Sequence, residues 1–151
     1  MIKGKIPQDD ITLINIYVPK TGAPKYVKQI LIDIKGEINR NTILIGEFNM
    51  PLTSMDRSCR QKINKDTMAL NDTLHQMDLI DIFRAFHLEA AEYTYFSSAH
   101  GMFSRTDHEL GHKTSLNKFK KIETISSIFS DHNAMKLEMT RTLKNIDLEV
   151  E

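Results

Sequence analysis

The stretch Ile43-Leu44-Ile45-Gly46-Glu47-Phe48-Asn49-Met50-Pro51 decides the fold class of this 151-residue chain. Its consecutive aliphatic residues predict a strand that is buried on both faces and ends between Gly46 and Pro51. Glu47 and Asn49 are two residues apart, so an extended backbone points both to the same side at the strand's carboxyl end. Open α/β sheets hold their chemistry at that end. The alternative for an acid-x-Asn pattern alone is a strand followed by an ordinary polar turn.

The preceding segment completes a strand-helix-strand unit. Ile11 to Val18 is rich in β-branched residues and predicts an interior strand that Pro19 ends. Pro24 stands near a predicted helix start, and apolar residues then recur at helical spacing: Tyr26, Val27, Ile30, Leu31, Ile34 and Ile38. This βαβ pattern predicts an α/β fold.

The middle of the chain alternates between polar and helical segments. Residues 52–65 predict a polar surface loop. Asp66 is predicted to cap a helix that carries Leu70, Leu74 and Met77 on one face and leaves His75 in solvent. A short apolar stretch at residues 79–83 and a short helix within residues 84–92 are expected next.

A β pattern dominates from Tyr93 onward. Residues 93–96 and 102–108 are predicted to pair as a hairpin, and residues 122–129 and 134–139 to form two closing strands. Residues 1–10 are predicted to be a short leader, residues 11–139 the folded domain, and residues 140–151 a polar, frayed tail.

Composition limits the location and partners of the protein. The 20 basic and 20 acidic side chains cancel, so any nucleic-acid contact must be local. Cys59 is the one cysteine, which suits a reducing compartment. No apolar run approaches the ~20 residues that span a bilayer. We therefore expect a soluble intracellular protein, nuclear or cytoplasmic, without a membrane partner. The basic cluster from Lys113 to Lys121 is either a solvated face or a phosphate contact.

Polar side chains gather at the ends of several predicted strands. Tyr17 ends one strand, Glu47 and Asn49 end another, and Asp107-His108 ends a third. Asp131-His132 lies between two more. Each alone could be a core residue or a turn cap, but an α/β active site draws its groups from several strand ends.

Five motifs in order resemble the endonuclease/exonuclease/phosphatase superfamily: Asn15-Ile-Tyr-Val-Pro19, Ile45-Gly-Glu-Phe-Asn-Met-Pro51, Thr94-Tyr-Phe-Ser, Ser104-Arg-Thr-Asp-His108 and Ser130-Asp-His-Asn-Ala. The match is closest to the apurinic-type endonuclease domain of LINE-1 retrotransposon second-reading-frame proteins. Linker segments starting at Asp56 and Leu74 also resemble that subfamily. The resemblance covers residues 11–139 and implies part of a two-sheet α/β sandwich, the DNase I-like fold.

The resemblance implies DNA nicking with a divalent metal, usually Mg²⁺. Asn49 would hold the attacking water and the scissile phosphate, Glu47 would orient or deprotonate that water, and Tyr17 would donate to a phosphate oxygen. His132 would contact the phosphate and Asp107 would accept from its other ring nitrogen, while Asp131 would lie beside the metal. Such positioning and charge stabilisation are what phosphoryl transfer requires.

Five further residues would meet the DNA. Thr94, Ser97 and Ser104 belong to the hairpin that corresponds to the family's groove-contacting element. Lys118 and Lys120 belong to the basic cluster and would face phosphates.

Two departures from the family pattern qualify this expectation. The family has a further half-domain that carries a strand-end asparagine and the principal metal-ligand glutamate, and residues 1–10 match neither. Glu47 stands where the family has Asp, which moves the carboxylate by roughly 1 Å.

We therefore expect a truncated LINE-1-type endonuclease of little or no activity that associates with itself through an exposed sheet face. The alternatives are a non-catalytic nucleic-acid-binding remnant and a phosphoesterase of the same superfamily, against which the LINE-1-like linkers count.

Overall fold

A computed structural model of the chain describes residues 2–6, 11–58, 62–89, 92–97, 101–125, 134–140 and 145–150. Its helices are α1 (Ala23–Asp33), α2 (Lys65–Gln76) and α3 (Ile82–Phe86). Its strands are β1 (Ile2–Ile6), β2 (Ile11–Tyr17), β3 (Thr42–Glu47), β4 (Leu79–Asp81), β5 (Tyr95–Ser97), β6 (Met102–Ser104), β7 (Asp107–His112), β8 (Phe119–Ile125), β9 (Ala134–Thr140) and β10 (Asn145–Val150).

The larger sheet is mixed and has the strand order β1-β2-β3-β7-β4. β2 and β3 are parallel and place Tyr17 opposite Glu47, as expected of a βαβ unit. β7 runs antiparallel to β3 and places Asp107 opposite Glu47. A second, antiparallel sheet has the order β10-β9-β8, and β5 pairs with β6 as a separate hairpin. The predicted α/β fold class is confirmed.

Each face of the larger sheet is covered by an apolar layer. On one face, Ile14, Ile16 and Leu44 pack with residues of α1 and α2, including Val27, Leu31, Leu70 and Leu74. On the other face, Ile11 and Ile43 pack with α3 and with the second sheet through Phe83, Phe119, Ile122, Met135 and Leu137. Side chains alternate between the faces of a strand, so Glu47 shares the second face with Ile43 and Ile45. Both faces of β2 and β3 are therefore covered by described residues, and self-association through an exposed sheet face stays a prediction.

Helix positions largely follow the apolar spacing. α1 has proline in its first turn, as predicted. Leu70 and Leu74 are buried on α2, and His75 is exposed. The cap of α2 is a correction, because Asn64 rather than Asp66 accepts a hydrogen bond from the Thr67 amide, at 2.8 Å. None of the helices in the described ranges has the length and apolarity to cross a bilayer.

The predicted strand 102–108 is two strands. β6 ends at Ser104, and β7 begins at Asp107 and joins the larger sheet instead of the hairpin. Asp107 and His108 therefore start a strand rather than end one. Because β7 is antiparallel to β3, this start still lies at the carboxyl end of β3.

Three predicted irregular segments contain more structure than expected. Within the 52–65 segment, Leu52 and Asp56 are buried, so this is not simply a surface loop. Residues 2–6 form an edge strand on β2, and residues 145–150 pair with β9. The closing strand β8 begins at Phe119 rather than at residue 122.

Candidate active site

Glu47 and Asn49 form the centre of the candidate site at the carboxyl end of β3. The Glu47 Oε1 accepts from the Asn49 amide at 2.7 Å, and Oε2 accepts from the Thr106 hydroxyl at 3.2 Å. Asn49 has a positive φ of 54°, a conformation that asparagine tolerates better than most residues. Its side-chain amide donates to the Val18 carbonyl. These bonds fix both predicted side chains at one point on the sheet.

Tyr17 lies beside this point at the end of β2. It is the register partner of Glu47, and 74% of its surface is exposed. An exposed phenol in that position can donate a hydrogen bond to a ligand. The predicted neighbourhood of Tyr17, Glu47 and Asn49 is therefore present.

Asp107 joins the site from β7 and is buried. The Thr94 hydroxyl accepts from the amides of Thr106 and Asp107, at 3.0 and 3.2 Å, and so fixes the start of β7. Thr94 has no exposed surface. Its predicted DNA contact is therefore corrected to a supporting position, because its hydroxyl is committed to the backbone beneath the site.

The remaining hairpin residues lie at the same end of the sheet. Ser104 is half-buried, and its carbonyl accepts from the Thr94 amide at 3.0 Å. The backbone of Ser97 pairs with Met102. Asp131 and His132 lie outside the described residues, so the predicted Asp107–His132 pair and the metal role of Asp131 stay predictions.

Lys118 and Lys120 lie toward the opposite end of the sheet. Lys118 donates to the Asn41 side chain at 2.6 Å, next to the start of β3. Glu47 is at the other end of that strand, roughly 17 Å away at the usual rise per residue. The basic cluster and the hairpin therefore lie toward opposite ends of the larger sheet, and the DNA contacts of Lys118 and Lys120 stay predictions.

His108, which the sequence placed in the Asp107-His108 motif without a role of its own, is buried and supports the turn after Asn49. The His108 Nε2 lies 2.8 Å from the Met50 carbonyl, and Nδ1 lies 3.2 Å from Asp81. Burial lowers the pKa of His108, but the hydrogen bond and charge of Asp81, the charge of Asp56 and the Met50 carbonyl outweigh it and raise the pKa to about 9. Burial raises the pKa of Asp81, but the hydrogen bond and charge of His108 outweigh it and give a net decrease. The pair is therefore ionised at neutral pH.

Asp56 holds the same turn from its other side. Its Oδ2 accepts from the amides of Leu52 and Thr53, at 2.9 and 3.1 Å, and its Oδ1 lies 2.5 Å from the Arg84 guanidinium. Thr53 and Asp56 form a capping box, whose three-residue spacing was a signal in the sequence. Asp56, Arg84, Asp81 and His108 thus form a charge network that fixes the backbone after the candidate catalytic residues.

Two further ionisable side chains lie between the sheets. Arg105 donates to the Thr124 hydroxyl at 2.8 Å and to the Glu92 carbonyl at 3.2 Å, and its Cζ lies 3.3 Å from the centre of the Phe83 ring. Burial lowers the pKa of Arg105. Glu109 is fully buried, and neither carboxyl oxygen has a hydrogen-bond partner among the described residues. Burial is the main cause that raises the pKa of Glu109 to about 8.

One group of described side chains comes close enough to share a cation. Ligand atoms of Asp56, Asp81 and His108 all lie within 4.8 Å of one another. These atoms are already neutralised by Arg84 and by the His108 imidazolium, and a protonated imidazole has no lone pair for a metal. Mg²⁺ also prefers near-octahedral oxygen ligands. This cluster therefore does not fit a bound Mg²⁺ and is a closed ion-pair network.

The chain is similar in fold to several solved nuclease structures. The chain superposes on the NExo 3'-5' exonuclease of Neisseria meningitidis with a TM-score of 0.70 and 21% identity, covering 85% of this chain and 61% of that one. The endonuclease domain of TRAS1, a telomere-specific non-LTR retrotransposon, superposes with a TM-score of 0.69 and 18% identity. This match covers 87% of the present chain and 58% of that one. An AP endonuclease from Archaeoglobus fulgidus superposes with a TM-score of 0.67 and 17% identity, covering 87% of the present chain and 61% of that one.

The chain has the endonuclease/exonuclease/phosphatase fold. It spans about 60% of the length of these nuclease structures. No protein-family model matches it.

Proposed function

We propose that this chain is the later portion of a LINE-1-type DNA endonuclease domain and supplies one half of its active site. The observation that carries the proposal is the meeting of Tyr17, Glu47, Asn49 and Asp107 at one sheet end of a nuclease fold. The residue types suit phosphodiester hydrolysis: a carboxylate to orient water, an amide and a phenol to hold phosphate oxygens, and a buried carboxylate to orient a histidine.

Each residue has a defined part in this proposal. Glu47 orients the attacking water, Asn49 holds the water and the phosphate, and Tyr17 donates to a phosphate oxygen. Asp107 orients His132, which contacts the phosphate as charge develops. The metal expected for the family is Mg²⁺. Since the Asp56-Asp81-His108 cluster does not fit it, the proposal assigns its ligands to Asp131 and to a glutamate supplied from outside these 151 residues.

A chimera tests this assignment. An amino-terminal LINE-1-type segment with the missing glutamate is fused ahead of Ile11, and nicking of supercoiled plasmid is measured with Mg²⁺. The chimera should nick, and Asn49→Ala should lower its rate by about 10²-fold or more. Asn71→Ala is the matched control, because Asn71 also donates its amide to a carbonyl, that of Leu52 at 2.9 Å. Nicking that survives Asn49→Ala would contradict the proposal.

The hairpin supports a second candidate, a non-catalytic nucleic-acid-binding remnant. Phe96 and Phe103 are 38% and 47% exposed with ring centres 4.5 Å apart, and Tyr93 stacks on Phe103 at 6.0 Å. Exposed aromatic rings can stack on bases or wedge between them. Salt-dependent DNA binding by the isolated chain that falls in Phe103→Ala, without any nicking, would favour this candidate. Binding unchanged in Phe103→Ala would exclude the hairpin as its basis.

A further inference from the structure

A groove at the opposite end of the sheet from Glu47 has the lining of a ligand site. This basal groove lies between the turn after α1, the end of α2 and the end of β7, and its lining includes Lys35, Ile38, Arg40, Gln76, Met77 and His112. Its volume of about 610 Å³ is within the usual range for ligand pockets. A smaller cavity of about 360 Å³ between α1 and α2 continues it through Lys35, Gln76 and Met77 and adds Lys28 and Asp72.

The charge of the basal groove is one-sided. Lys35 and Arg40 line it together with His112, and no carboxylate of the described residues does. The structure records no intramolecular partner for the Lys35 or Arg40 side chains among the described residues. The nearby carboxylate of Asp78 is paired with Lys113 at 2.9 Å, and this hydrogen bond lowers the pKa of Asp78. The groove thus offers cations to an anion, and the carboxylate that the adjoining cavity adds is Asp72.

The His112 ring and the backbone that carries Arg40 are held in place. The Nδ1 of His112 accepts from the Thr114 amide at 3.2 Å, and an amide only donates, so the ring proton of the neutral imidazole is on Nε2. The Ser115 hydroxyl donates to the Arg40 carbonyl at 2.6 Å, and Lys118 donates to Asn41 at 2.6 Å. These bonds fix the turn at residues 113–118 against the segment that carries Arg40.

The rest of the lining suits a base rather than phosphate alone. Ile38 and Met77 give an apolar floor, and Gln76 gives an amide that can both donate and accept. Asn39 gives the NH2 of its side-chain amide, because its oxygen already accepts from the Asn41 amide at 2.7 Å. Cations for phosphate, an apolar surface for a ring and amides for its edge are the combination that nucleotides require. The faces of the bases are stacked inside a duplex, whereas a single strand can insert an unstacked base into a concave site.

We propose that the basal groove binds a nucleotide unit of a single-stranded nucleic acid, with Lys35 and Arg40 on its phosphates and its base over Ile38 and Met77. This site is separate from the candidate catalytic end and does not depend on nuclease activity. The protein would then hold a single strand in the basal groove, while the candidate catalytic end of the sheet faces a second substrate.

Binding of a labelled single-stranded oligonucleotide of about 12 nucleotides, followed by fluorescence anisotropy, tests the proposal. Lys35→Glu with Arg40→Glu should weaken binding about 10-fold or more and reduce the salt slope by roughly 1.4, since a single-strand phosphate contact contributes about 0.7. Lys35→Arg with Arg40→Lys keeps both charges and should retain binding. Circular dichroism of each variant verifies folding.

The matched control reverses two charges elsewhere. Lys25→Glu with Lys65→Glu changes the net charge by the same amount at exposed positions outside the groove. It should leave binding within about 2-fold, as expected for screened, distant charges. Equal losses of affinity in both double variants would mean that net charge alone drives binding. A loss of affinity confined to the control would place the binding site near Lys25 and Lys65 instead of in the basal groove. Either result overturns the proposal.

Competition separates the nucleotide from its phosphate. Adenosine monophosphate should displace the oligonucleotide at lower concentration than inorganic phosphate does, because only the nucleotide can use the apolar floor. Met77→Asp should remove this difference. Equal competition by the two anions against the original protein would overturn the assignment of a base to the groove.

Discussion

The Nδ1 of His108 lies 3.2 Å from the Asp81 carboxylate, and its Nε2 donates to the Met50 carbonyl at 2.8 Å. One imidazolium therefore connects β7, the end of β4 and the turn that follows Asn49. Because a carbonyl only accepts and Asp81 is ionised, both ring nitrogens carry protons. The geometry of the candidate site thus depends on a buried charge that lies beneath it.

This ion pair predicts a loss of stability at alkaline pH. The folded-state pKa of His108 is raised to about 9 from 6.5, so its contribution is fully present below pH 6.5 and is lost as the pH rises through 9. Urea unfolding should show this decline. His108→Gln should cost about 3–5 kcal/mol at pH 6, because Asp81 is left without its partner. His75→Gln on the surface is the control, and an equal effect of the two substitutions would contradict the account.

The raised pKa of Glu109 predicts a second loss of stability with rising pH, over a lower pH range than that of His108. Its folded-state pKa is raised from 4.5 to about 8, so the free energy of unfolding should fall as the pH rises from 4.5 toward 8. Glu109→Gln should remove this part of the pH dependence, and Glu109→Leu should stabilise the protein at pH 8 by on the order of a few kcal/mol. Glu89→Gln, at an exposed position, should change neither. A Glu109→Leu protein less stable than the original at pH 8 would show that the carboxylate has a stabilising role.

The features that depend on local residue patterns were predicted from the sequence. The apolar runs of β2 and β3, the spacing in α1 and the placement of Glu47 and Asn49 depend on periodicity and turn residues, and the structure has all of them. The position of Asp107 depends on whether the β7 residues pair within the hairpin or with β3, and β3 is distant in sequence. Burial of Asp56, Thr94 and His108 likewise comes from contacts between segments far apart in the chain. A lysine cluster carries no signal of which sheet end it will occupy.

Gly46 predicts a strong effect from a single methyl group. A Cβ there would lie 2.0 Å from the Ile16 carbonyl oxygen, and its φ is 144°. Gly46→Ala should therefore separate β2 from β3 and destabilise the fold by more than about 3 kcal/mol. Gly36→Ala is the matched control, because a methyl group added at Gly36 would meet no described atom within 4 Å and unfolded-chain entropy favours alanine. Thermal melting that gives equal midpoints for the two variants would refute the close approach.

Thr94 predicts a structural rather than a DNA-contacting role. Thr94→Val keeps the shape but leaves the Thr106 and Asp107 amides without their acceptor, at a cost of about 1–3 kcal/mol. Thr94→Ser keeps the hydroxyl and should retain most of the stability. Chemical denaturation distinguishes them. If Thr94→Val lowered DNA binding while its stability matched the original, Thr94 would be a contact after all.

Position 47 is proposed to orient the attacking water, and single-turnover nicking by the chimera tests this central role most directly. Both Glu47 oxygens are engaged by Asn49 and Thr106, and the side chain is one methylene longer than the aspartate that the family resemblance implies. We predict that Glu47→Asp raises the chimera's rate by roughly 10- to 100-fold, that adding His132→Ala removes the gain, and that the 151-residue chain alone leaves the plasmid intact. A Glu47 chimera as fast as its Asp counterpart would contradict the role assigned to this residue.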